Sequence, residues 1–251
     1  MSVSCLVERQ PEPIDPLELY ASAIDTSDYV SQIAPLVRRH VRNSGRLLDV
    51  GAGGGQLGAA LRTRELPWTV VEPSPTMRRR LERLHAPPAI VASDWQSADV
   101  EHRSHDVVLA ATMPAFFDST EAFLARCRDW ARRVVVWVVP AHAGPRGLCF
   151  AGCLPSRWHG EDETPGIDIV LRQLNAENRP HEISFVEWTF SGVIENLPRL
   201  SSYLADRLGW PATDSRRAEL LAHLAERSKP DAAGVRLNVP RKSAVLVWRQ
   251  A

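Results

Sequence analysis

Lysine, cysteine and long apolar runs are all scarce in this chain of 251 residues. Lys229 and Lys242 are the only lysines, so nearly all positive charge is arginine. We read that as a codon effect rather than as chemistry. The four cysteines, Cys5, Cys127, Cys149 and Cys153, form no C-x-x-C pair, and no disulfides are expected. His142, Cys149, Cys153 and His159 stand at spacings that match no common structural zinc pattern, so no metal is expected either. No stretch approaches the ~20 apolar residues of a membrane span, and the first residues, with Glu8, Arg9 and prolines, lack the apolar core of a signal peptide. A cytoplasmic protein without membrane contact is expected. Excess charge is absent too. Lys and Arg together number 30, as do Asp and Glu, which argues against a protein built to hold nucleic acid. No Gly-Lys-Ser or Gly-Lys-Thr phosphate loop is present, and no convincing catalytic triad.

What is present is concentrated at residues 46–61. An apolar run reaches Asp49, breaks into Gly51, Gly53, Gly54 and Gly55, and resumes with helical periodicity. A buried parallel strand that enters a helix through a tight turn reads this way. Glycines there let a ligand approach the backbone. A strict G-x-G-x-x-G fails in the first frame because position 56 is Gln, although Gly53, Gly55 and Gly58 restore it. Asp49 makes the pattern Asp-x-Gly-x-Gly-x-Gly. Further runs follow. Trp68–Glu72 closes on an acid able to accept from both ribose hydroxyls, and Ser74-Pro75 suits a helix start. The run beginning at Ala89 ends on Asp94 and Trp95, able to meet an adenine amino group and ring. Two more apolar runs cover 105–112 and 133–139. Strands alternating with helices over 46–140 predict a doubly wound parallel sheet.

Over residues 26–140 the chain resembles the class I S-adenosylmethionine-dependent methyltransferases, and more loosely over the final strand. The Asp49–Gly55 turn is similar to that family's first motif, Glu72 to its ribose-binding acid and Asp94 to its adenine-contacting acid. Thr112 and Met113 stand where the family lines the sulfonium and its transferable group. The resemblance implies an α/β fold with a doubly wound, mostly parallel, seven-stranded sheet, Rossmann-like, with a helical insert or cap in the C-terminal half. It implies residues 1–44 as an arm with cap helices and 45–251 as the methyltransferase domain, with 141–180 and 194–238 inserted on the substrate side. S-adenosylmethionine is the implied cofactor, held by Asp49, Gly51, Gly53, Gly55, Glu72, Asp94, Trp95, Thr112 and Met113. Family members that methylate exocyclic base nitrogens carry Asn-Pro-Pro-Tyr after the fourth strand; Thr112-Met-Pro-Ala-Phe-Phe117 departs from it. A small-molecule acceptor is therefore expected, and no nucleic acid.

Methyl transfer from a sulfonium asks mainly for alignment, and for a base only if the nucleophile arrives protonated. Candidate catalytic residues are Tyr29, which could face the sulfonium, and His142 and His159, possible general bases on the segment after the fifth strand. Tyr20 is expected to pack the N-terminal helices, and Trp158 and Trp210 to wall the substrate. Transfer or cyclisation of the aminocarboxypropyl chain, a binding module without turnover, and nicotinamide-dependent reduction remain alternatives.

Overall fold

The structure is a computed structural model that describes residues 13–41, 45–62, 67–112, 119–145 and 149–250. Its centre is one sheet. Parallel strands β1 (Leu47–Val50), β2 (Trp68–Val71), β3 (Ala89–Val91), β4 (His105–Ala111) and β5 (Ala131–Pro140) lie in the order β3-β2-β1-β4-β5. The sheet continues through β8 (Gly234–Arg249) to β6 (Glu182–Ile194), each pair antiparallel. The short β7 (Lys229–Asp231) folds back on β8 as an eighth strand beyond the expected seven.

The strands read as unbroken apolar runs because both faces are covered. Leu47, Val107, Leu109, Val136 and Val138 face one core. Their neighbours Leu48, Val108, Ala110, Val135 and Trp137 face the other, as the period-2 alternation of strand side chains requires. The first core packs under α1 (Pro16–Thr26), α2 (Tyr29–Val41), α3 (Gln56–Leu61), α4 (Pro75–Glu82), α8 (Leu197–Arg207) and α9 (Arg216–Arg227). The second packs under α5 (Thr120–Trp130) and α7 (Gly166–Gln173), and Trp130, Trp137 and Trp248 fill it. A one-turn helix, α6 (Ser156–His159), lies between these parts in sequence.

Helix starts follow local chemistry. Asp15 caps α1 ahead of Pro16, accepting from Leu17 N at 2.9 Å, and Ser74 caps α4 ahead of Pro75. Two boundaries differ from the sequence expectation. The apolar pattern over 166–178 predicts a single helix, but α7 stops at Gln173, because the Asn175 side chain accepts from Asn178 N and starts a separate 3₁₀ turn. The alternation over 181–190 and the apolar run over 243–249 predict two strands, and these pair further than predicted, from Glu182↔Val247 to Ile194↔Val235. The longer antiparallel pairing reflects the buried alternation Leu237–Val239, which precedes the last continuous apolar run.

The corner between α1 and α2 positions the lid over the sheet. Ser191 N donates to Ser27 Oγ at 2.9 Å, Thr26 Oγ1 to Ser191 O at 2.5 Å, and Thr189 N to Asp28 Oδ1 at 2.6 Å. These bonds use the free edge of β6, an otherwise open template for pairing. They hold Tyr20 and Tyr29 above the carboxyl ends of the parallel strands.

Candidate functional site

A cavity of about 390 Å³ opens at those strand ends, within the size of small-molecule sites. One end is polar. The turn after β1 carries Gly51, Gly53 and Gly55 at φ 65°, 56° and 80°. A Cβ on Gly53 would meet nothing within 4 Å, whereas one on Gly55 would strike Leu81 and Trp68. Gly53 thus leaves room for a ligand, and Gly55 lets the turn sit on the core; Gly55 is not among the lining residues. The Glu72 carboxylate accepts from Gly53 N at 2.8 Å and from Ser74 N at 2.9 Å. It thereby fixes the turn while leaving lone pairs on both oxygens. Burial raises its pKa against those bonds.

Asp49 is 3% exposed and lines the cavity. Its carboxylate makes no hydrogen bond to a described residue, and burial, then the Glu72 charge, pushes its pKa up to about 7. A buried carboxylate without donors is costly, so this group is set to receive a cation.

Above Asp49 stand two tyrosines. Tyr29 packs edge-on against Trp188 at 4.8 Å, and Tyr20 stacks on Phe190 at 5.5 Å. Burial raises the pKa of both phenols, and the Thr112 side chain is near enough to oppose that shift. The Tyr29 hydroxyl is nevertheless buried with no hydrogen-bond partner. Thr112 itself sits at φ 52°, an outlying backbone state for a β-branched residue that accompanies functional sites.

The other end of the cavity is apolar apart from His142, Ser243 and Arg241. Its walls include Cys149, Phe150, Trp188 and Phe190, and burial pushes the Cys149 thiol up to about 12. His142 Nε2 lies 2.6 Å from Arg241 Nη1. Guanidinium only donates, so that ring nitrogen is the acceptor and the ring proton sits on Nδ1, 3.0 Å from Lys242 O. Burial and then Arg241 hold the His142 pKa low.

The structure thus brings together Tyr29, Asp49, Gly51, Gly53, Glu72, Thr112 and His142. Met113, Phe116 and Phe117 lie outside the described residues. Several expectations need correction. Asp94 is exposed, with Oδ1 accepting from Gln96 N and Ser97 N at 2.8 Å, and is not in the lining. Its carboxylate closes its own turn after β3. Trp95 instead packs edge-on against Phe123 at 5.3 Å. His159 also lies off the cavity: after α6 ends at Gly160, Nδ1 accepts from Glu161 N at 3.1 Å and Nε2 is 3.3 Å from Glu163. Trp158 and Trp210 pack on each other at 5.9 Å and wall no part of the cavity. No described cluster of His, Cys, Asp or Glu could hold a metal, and no described helix is long and apolar enough to cross a membrane.

Sequence reasoning missed Tyr20 as a lining residue, and Phe150, Trp188, Phe190 and Arg241 altogether. The aromatics look like ordinary core residues along the chain. Arg241 had one signal: a charge at the entry to the last apolar run.

Comparison with known proteins agrees with this geometry. Residues 48–134 match the methyltransferase domain family. A protein described as a type II methyltransferase from Anaeromyxobacter dehalogenans is similar in structure. It has TM-score 0.56 and 18% identity, covering 86% of this chain and 94% of that one. One described as a methyltransferase from Bacillus halodurans gives 0.51 and 11%, over 87% and 98%. The YcgJ protein from Bacillus subtilis gives 0.50 and 14%, over 86% and 97%. At these identities the likeness is one of fold. No curated protein matches the chain.

Proposed function

Because residues 48–134 match the methyltransferase domain family, we propose that the protein transfers the methyl group of S-adenosylmethionine to a small-molecule acceptor. The observation that carries this reading is the buried Asp49 carboxylate, which no described residue hydrogen-bonds, beside a turn whose Gly53 leaves open space. The residues fit the cofactor. Asp49 would take its positive charge, Glu72 would accept from its ribose hydroxyls with the lone pairs left after binding Gly53 N and Ser74 N, and the backbone of 51–54 permits close approach. When bound, S-adenosylmethionine supplies a methyl carbon activated by a sulfonium leaving group.

The chain's own contribution is alignment and exclusion of water. Tyr20 and Tyr29, kept un-ionised by burial, place two π faces at the junction of the polar and apolar ends, where a cation is attracted. The α1–α2 lid, stitched to β6, keeps that junction covered. No described lining residue at the apolar end offers a free base near neutral pH. His142 Nε2 is engaged by Arg241, and the Cys149 thiol and both phenols are raised. The acceptor therefore arrives as a nucleophile that needs no deprotonation by these groups.

The neutral charge balance and the narrow, largely apolar chamber favour a small molecule over nucleic acid. Calorimetric titration is expected to show binding of S-adenosylmethionine and none of the nicotinamide dinucleotides. Incubation with S-adenosylmethionine and a small-molecule extract is expected to release adenosylhomocysteine, read by mass spectrometry. Release of methylthioadenosine instead would overturn methyl transfer.

A further inference from the structure

The apolar end of the cavity contains a charge that no described residue balances. Arg241 lies on β8 opposite Trp188, two residues before Ser243, which pairs with the last residue of β5. Its side chain is partly buried and lines the cavity. A Cβ built on Gly152 would lie 3.2 Å from one of its nitrogens, so it rests against the 151–153 turn. Its neighbours are neutral: His142 Nε2 at 2.6 Å, the Phe190 ring at 5.9 Å, and the Tyr20, Cys149 and Cys153 side chains. It has no carboxylate partner among the described residues. A partly buried cation without a counter-charge is less favourable than a paired one. A ligand that fills the chamber can supply the anion that the described residues do not.

We propose that the acceptor is a small apolar monocarboxylic acid whose carboxylate is held by Arg241, with His142 steadying the guanidinium and Phe150, Trp188 and Phe190 enclosing the apolar body. This rests on the methyltransferase reading and names its substrate class. The guanidinium fork matches a carboxylate in plane, with donors left over after the bond to His142. The local charge favours a monoanion. Lys242 turns its ammonium to Phe185, at 5.1 Å, and His142 is neutral, so among the described residues one positive charge, Arg241, faces the chamber. A phosphate dianion would leave a charge uncompensated. The position also separates this group from the glycine turn. In the order β1-β4-β5-β8, three strand spacings of about 4.8 Å put β8 about 14 Å from β1.

Calorimetry on the full chain with phenylacetate, phenylacetamide and phenyl phosphate tests this. Phenylacetate is expected to bind the wild-type protein, and the neutral amide to bind about tenfold weaker or worse. Arg241→Gln is expected to bind acid and amide alike while its S-adenosylmethionine affinity stays within about twofold of wild type. Equal binding of acid and amide to the wild type overturns the proposal, as does no binding of the acid. Tighter binding of phenyl phosphate reassigns the site to a dianion, and loss of cofactor affinity in Arg241→Gln reassigns Arg241 to the cofactor. The acid-against-amide comparison needs no variant, so it stands if Arg241→Gln does not fold. Failure of the methyltransferase reading shows separately, as wild-type protein that does not bind S-adenosylmethionine.

Discussion

At the β1–β2 end of the cavity the polar groups are backbone amides and carboxylates from residues 49–55 and 72–74. At the β5–β8 end they are a guanidinium, a neutral imidazole and a hydroxyl, from residues 241, 142 and 243, set among aromatic rings. The first end is built by neighbours in sequence, at strand ends that any doubly wound sheet brings together. The second is built by packing α1, α2, the segment after β5 and the final hairpin against one another. A ligand common to many proteins suits the first construction, and a ligand peculiar to one suits the second. Side chains of the second end can change without disturbing the glycine turn.

The sharpest way to break this comparison is Glu72→Ala. It removes the acceptors proposed for the ribose and the clamp on Gly53 N and Ser74 N. Cofactor affinity is expected to fall about 100-fold, at about 1.5 kcal/mol for each of two hydrogen bonds to a charged group. An affinity within about threefold of wild type, measured by calorimetry, would place the cofactor elsewhere.

A smaller effect is expected from pH. Asp49 titrates near 7 in the folded protein against an ordinary value of 3.8. Only its ionised form attracts the cofactor's positive charge, so affinity should rise about eightfold between pH 6 and 7.5 from that ionisation alone. Stability runs the other way. The folded state binds the proton more tightly than the unfolded state does, so Asp49 lowers stability as pH climbs from about 4 through about 7. Asp49→Asn should therefore raise the melting temperature of the ligand-free protein at pH 8, while weakening cofactor binding and flattening its pH dependence. A variant that melts no higher at pH 8 would mean that the carboxylate is not held in the buried, donor-free state described.

The smallest effect is expected at Asp94. Its carboxylate is exposed and closes its own turn, so Asp94→Ala should leave cofactor affinity within about twofold. A loss of tenfold or more would mean that the turn after β3 swings in when ligand binds, and that the polar end extends one strand further than the lining shows.

Much of the polar end was legible from local sequence. The apolar run into Asp49, the glycine turn, and the acid closing the next run are local patterns with local causes, and β1, β2 and β4 lie where those patterns put them. Asp94 shows where that reasoning stops, because an acid at a strand end can serve a ligand or its own backbone. His142 and His159 show the same limit. Both follow β5, but one faces the cavity and the other folds into a turn with Glu161 and Glu163. Spacing along an irregular segment carries no periodicity from which a direction could be read.

Apolar periodicity and turn chemistry in the sequence by itself determined the parallel sheet and the glycine-lined strand end, because both depend on residues a few positions apart. Only the tertiary structure decided that Tyr20, Tyr29, Trp188 and Phe190 meet in one chamber, and that Arg241 enters it with no acid from a described residue beside it. The two tyrosine contacts, Tyr20 with Phe190 and Tyr29 with Trp188, join positions far apart in the chain. Burial, which sets what an unpaired charge costs, exists only once those segments have packed.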